Sequence, residues 1–61
     1  MKGKVKWFDE QKGYGFIEQE QGEDLFVHHT NLLSNIAEGD SVEYEVGEGK
    51  KGPCAVNVSR A

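Results

Sequence analysis

The sequence holds one cysteine and one proline, contains no apolar stretch of membrane length, and carries no lysine or arginine between residues 18 and 48. A lone Cys54 cannot close an internal disulfide, which excludes the stapled scaffolds typical of small secreted proteins. No basic or histidine neighbour stands beside it in sequence to activate the thiol, so it is expected as a small strand residue. The opening residues, MKGKVKWF, lack the apolar core of a secretory signal, and no later run approaches the roughly 20 residues of a membrane helix. The expectation is a soluble cytoplasmic protein with no membrane partner.

Sixty-one residues are expected to form one domain spanning 1–61. A domain of this size buries only about 60% of the surface its unfolded chain exposes. That leaves one modest core, one surface site and, without disulfide or metal, low stability. Catalysis needs a water-shielded pocket that so short a chain can hardly enclose, so an enzyme with a small-molecule substrate or a cofactor is not expected. The run Gly47-Glu48-Gly49-Lys50-Lys51-Gly52 has the spacing of a dinucleotide fingerprint, but no strand-helix-strand unit fits around it, and a hairpin turn is the expected reading. His28 and His29 are adjacent; on a strand they would point to opposite faces, and no metal site is expected. Asn57-Val58-Ser59 fits a glycosylation acceptor by chance.

What the chain does contain is period-2 patterning broken by turn residues at short intervals. Strands are expected at about residues 2–9, 13–19, 24–29, 41–47 and 52–59, with Thr30 capping a single helical turn through Leu33. In the second and third strands Ile17, Leu25 and Val27 share one side, and Tyr14, Phe16, Phe26 and His28 the other. The aliphatic set has no polar atoms to satisfy and belongs inside, together with Val42, Tyr44, Val46 and Val58. The aromatics are then left outside, and a contiguous exposed patch on so small a protein marks a binding surface.

The net charge of −4 runs against the usual footprint of a nucleic-acid binder, but the distribution is uneven. Lys2, Lys4, Lys6 and Lys12 stand in the first stretch, and Lys50, Lys51 and Arg60 in the last. If the fold brings both ends to one side, the molecule has a basic face and an acidic back. Rings bordered by cations fit a single-stranded nucleic acid, which exposes flat bases and a line of phosphates. A stacked base contributes about 1–3 kcal/mol and any base will serve. Trp7, Phe8, Tyr14, Phe16, Phe26 and His28 are the candidate rings, and Lys6, Lys12 and Lys51 the candidate phosphate contacts. The rival is a small barrel that grips an extended or proline-rich peptide with the same rings.

Three segments, Gly3-Lys4-Val5-Lys6-Trp7-Phe8, Lys12-Gly13-Tyr14-Gly15-Phe16-Ile17 and Asp24-Leu25-Phe26-Val27-His28-His29, with Gly52-Pro53 and Ala55-Val56-Asn57-Val58 after them, resemble the bacterial cold-shock protein family in order and spacing. The resemblance runs through nearly the whole chain. It implies an all-β, five-stranded antiparallel barrel of the oligonucleotide-binding (OB) type. The second and third segments would be the two ribonucleoprotein motifs, with Asp24 and His29 joining the contact residues. A monomer that binds single-stranded RNA and DNA, acting as an RNA chaperone in translation and transcription, is the implied function. Trp7 shares the parity of Val5, so its outward position rests on this resemblance and on an assumed bend.

Three departures from the family pattern are visible. His29 stands where phenylalanine is usual, making one ring an imidazole whose charge depends on pH. The following loop is short and lacks a Gly-Phe element, leaving Leu32, Leu33 and Ile36 in its place. Asp9 stands where asparagine is common and sets a negative charge beside Trp7 and Phe8.

Overall fold

A computed structural model describes residues 1–49 and 52–61. Five strands account for most of it: β1 (Lys2–Asp9), β2 (Tyr14–Gln19), β3 (Leu25–His28), β4 (Ser41–Gly49) and β5 (Gly52–Arg60), with one 3-10 turn, η1 (His29–Asn31), after β3. They close into a barrel in the order β1-β2-β3-β5-β4, as expected for the OB type. Four seams are antiparallel; the β3–β5 seam, Phe26 to Cys54 and Val27 to Ala55, is parallel. No helix among the described residues is long and apolar enough to cross a membrane.

The interior is aliphatic, as the alternation of β2 and β3 requires. Val5, Ile17, Leu25, Val27, Ile36, Val42, Tyr44, Ala55 and Val58 form one buried cluster, each large aliphatic member contributing about 1.5–3 kcal/mol of transfer free energy. Tyr44 is accepted there because its hydroxyl donates to Gln19 Oε1 at 2.9 Å. Burial, with a smaller effect of Glu20, raises its phenol above the ordinary value.

Val46 was expected inside and is 49% exposed. β1 covers β4 only along Ser41–Glu43 and the Met1–Tyr44 backbone bonds. Beyond Tyr44, β4 pairs with β5 alone among the described residues, so parity still turns Val46 inward but no described strand covers it. This ribbon also extends β4 past the expected end at 47, to a hairpin closing at Gly49 opposite Gly52; Lys50 and Lys51 lie outside the described residues.

Two bulges shape the barrel. On β1, Val5 pairs with Ile17 but Trp7 with Phe16, so Lys6 is an extra residue and the parity of the strand reverses after it. This is the bend that sets Val5 inside and Trp7 outside. On β5 the register shifts between Glu43–Ser59 and Glu45–Val56, and Asn57 takes the positive φ of 52°, a conformation asparagine tolerates better than most residues.

The turn after β3 begins two residues earlier than expected. His28, not Thr30, is its cap: His28 Nδ1 accepts from the Thr30 N–H. The short loop that follows is tied to β5 by Leu33 N–H donating to Val58 O at 2.6 Å. Its aliphatics do not stand together at the surface. Ile36 enters the core, Leu32 packs half-buried against it, and only Leu33 remains exposed, at 69%.

Gly15 marks a close approach of β1 to β2. A Cβ there would overlap the Trp7 carbonyl oxygen and lie 2.7 Å from Phe8 Cα. Gly15→Ala should therefore destabilise the fold by about 1–3 kcal/mol or more, read as a lower urea midpoint with unchanged slope. Val46→Thr should stay within about 0.5 kcal/mol, and an equal loss from both would contradict this placement of the core.

Candidate nucleic-acid interface

The outward side chains of β1, β2 and β3 form one continuous row of rings. Trp7 lies 5.4 Å from Phe16 and 5.9 Å from Tyr14, centroid to centroid. Phe26 lies 5.7 Å from Tyr14 and 5.8 Å from Phe16, and His28 continues the row 6.5 Å beyond Phe26. The register explains the adjacency: Phe16 is paired with Trp7 on one side and Phe26 on the other, and Tyr14 with Asp9 and His28. All five rings are half-buried, supported from beneath by the barrel and open above. The tilted and edge-to-face angles among them, 33° to 79°, are the arrangements aromatic pairs favour.

Phe8 stands apart from the row. Paired with Gly15 after the β1 bulge, it packs against the core and forms part of a groove with Lys12, Gly13, His29, Leu33 and Ile36. His29 belongs to neither face of β3, because the strand ends at His28. Its ring turns back to 4.4 Å from that of His28, so the expectation that the two point to opposite faces fails. Among the described residues, no three His, Cys, Asp or Glu side chains gather as metal ligands would.

The cations are less free than the sequence implied. Lys6 Nζ donates to Asp24 Oδ2 at 2.6 Å, joining the two predicted contact residues to each other. That hydrogen bond first, then the attraction of the same carboxylate, raises the Lys6 ammonium above its ordinary value, with a smaller push from Glu18. Across the strands Lys2 faces Glu43 and Lys4 faces Glu18, while Arg60 pairs with Asp40 at 3.6 Å. The strands β1 and β5 are not neighbours, since β4 stands between them. Whether the two basic ends share a face depends in part on Lys50 and Lys51, which lie outside the described residues; the described cations stand among carboxylates. Lys12, at the rim of the groove, makes no ion pair among the described residues, and Lys51 lies outside them.

Asp9 is turned to local work. Its Oδ1 accepts from the N–H groups of Gln11 and Lys12 at 2.9 and 3.1 Å, fixing the turn that carries Lys12. That turn is tied to η1 by His29 N–H donating to Gly13 O at 2.8 Å. Sequence reasoning missed one residue of this face, Cys54. It is paired with Phe26 across the parallel seam and lines a cleft with Phe26, His28, Thr30 and Asn31; nothing in the local sequence places strand five beside strand three.

Comparison with known proteins agrees with this geometry. Residues 1–61 match the family described as the 'Cold-shock' DNA-binding domain. The chain is similar to a cold shock-like protein of Thermotoga maritima, 52% identical over 95% of this chain and 94% of that protein. It is also similar to the cold shock-like protein CspE of Buchnera aphidicola subsp. Acyrthosiphon pisum, at 56% over 95% and 91%. The cold shock-like protein CspC of Shigella flexneri is 52% identical over 97% and 93%. Barrel, ring row and similarity together establish that the chain belongs to the cold-shock domain family of nucleic-acid-binding proteins.

Proposed function

We propose that this protein binds single-stranded RNA and DNA with little base preference, stacking bases on Trp7, Tyr14, Phe16, Phe26 and His28. The observation that carries this reading is the unbroken ring row across three strands. A duplex buries its base faces, so such a row suits only an unpaired strand, and stacking of about 1–3 kcal/mol per base is indifferent to base identity. Lys12 borders the row as a phosphate contact, with Lys51 a second. The Lys6–Asp24 pair offers a donor and an acceptor side by side and adds no net charge. Holding strands open without chemistry is the work of an RNA chaperone, which here would act as a cytoplasmic monomer in translation and transcription. It requires no cofactor and no catalytic residue.

The test is titration of the Trp7 fluorescence with oligo-uridine and oligo-thymidine at low and high salt, with a duplex as control. Quenching by single strands is expected, with a log–log salt slope of about −0.7 for each phosphate contact. Few contacts, and so a shallow slope, follow from the paired cations. Quenching by an extended proline-rich peptide, salt-independent and without response to either oligonucleotide, would establish the peptide-binding barrel instead.

Phe26→Ala, which removes the ring touching three others, should weaken binding by about 1–3 kcal/mol, or roughly 5- to 150-fold in Kd. Asp9→Asn keeps an Oδ1 acceptor for the turn while removing its charge. Binding should tighten about two- to fivefold at low ionic strength and converge with the parent at high salt. Both are read in the same titration.

A further inference from the structure

The ring row ends at two imidazoles, held in different ways. His28 Nδ1 is occupied, accepting the Thr30 N–H and lying 2.9 Å from Thr30 Oγ1. His29 is exposed, and its ring nitrogens have no hydrogen-bond partner among the described residues. Its position is nevertheless fixed: the ring lies 4.4 Å from that of His28 and over Gly13, where a Cβ would fall 2.6 Å from His29 Cδ2. The groove it borders also holds Lys12. Lys6, the other described cation of this face, is tied to Asp24.

We infer that His29 is a proton-controlled phosphate contact: neutral, it is the last ring of the row, and protonated, it is a second cation beside Lys12 on the path of the bound strand. This rests on the nucleic-acid reading above and specifies one contact within it. Imidazole is the side chain whose charge changes between pH 5 and 8. On a face with so few unpaired cations, one added charge is a large fraction of the attraction. The charged and titratable groups beside the pair are Glu10 and Lys12 from the turn after β1, Tyr14 from β2 and Cys54 from β5, with Asp9 of β1 standing opposite Tyr14. Asp9 is engaged by its own turn. The loop that follows, from Thr30 to Ala37, brings no ionisable side chain. Glu10 lines the same groove, so an added proton on His29 would meet this carboxylate in the free protein and a phosphate when a strand is bound.

The experiment is the Trp7 titration with oligo-uridine, whose bases and phosphates keep their charge over this range, at about pH 8 and about pH 5.5, each at two salt concentrations. The protein should bind about three- to tenfold more tightly at the lower pH, and its salt slope should steepen by about 0.7, one further contact. His29→Phe keeps a ring and removes the proton, so its Kd should not change between the two pH values. His29→Gln serves the same purpose if the phenylalanine variant does not fold. A parent Kd that is flat with pH, or a pH response that persists in the variant, would overturn the proposal while leaving the nucleic-acid reading intact. Absence of binding at either pH would instead sink that reading.

Discussion

One extra residue in the first strand governs the rest of the binding face. An undisturbed β1 would send Val5 and Trp7 to the same side, and either the core would lose its valine or the surface its tryptophan. The bulge at Lys6 reverses the parity between them, and three consequences follow together. Trp7 comes level with Phe16, Phe8 turns back toward the core, and Lys6, the extra residue, reaches Asp24. The bulge is tolerated because Gly15 offers no side chain where the Trp7 carbonyl and Phe8 press against β2.

Legibility in the sequence follows the range of the interaction. Alternation is local, so the inside set of β2 and β3 and the outside set of Tyr14, Phe16, Phe26 and His28 could be read directly. Val46 could not: parity gives the side a residue faces, but whether a neighbouring strand covers it depends on where β1 stops pairing with β4. Trp7 was placed only by likeness to known relatives, since a bulge leaves no mark in composition. The His28–His29 contact depends on a strand ending one residue before the pattern does. The Lys6–Asp24 and Arg60–Asp40 pairs join residues distant in sequence, and a division of charge along the chain says nothing about which carboxylate will fold against which amine.

The alternation of charges gives the interface its character. A face of free lysines would attract any polyanion from a distance, duplex included. Here most described cations stand opposite carboxylates, which would weaken long-range attraction, and under the proposed function recognition would fall to short-range contact with the rings, which only an unpaired base can supply. On the proposed reading, selectivity for single strands would then arise as much from the scarcity of unpaired positive charge as from the abundance of aromatic surface.

Beyond Tyr44, where β1 no longer pairs with it, the outer side of β4 is a bare margin among the described residues. Bare margins are where β proteins join edge to edge into aggregates, one copy adding a strand to the next. This one reads Glu45, Val46, Gly47, Glu48 and Gly49. A second copy docking antiparallel there would bring carboxylate toward carboxylate along a stretch whose glycines give a new strand little to pack against. Glu45 and Glu48 thus work against edge-to-edge pairing on the same ribbon that leaves Val46 uncovered.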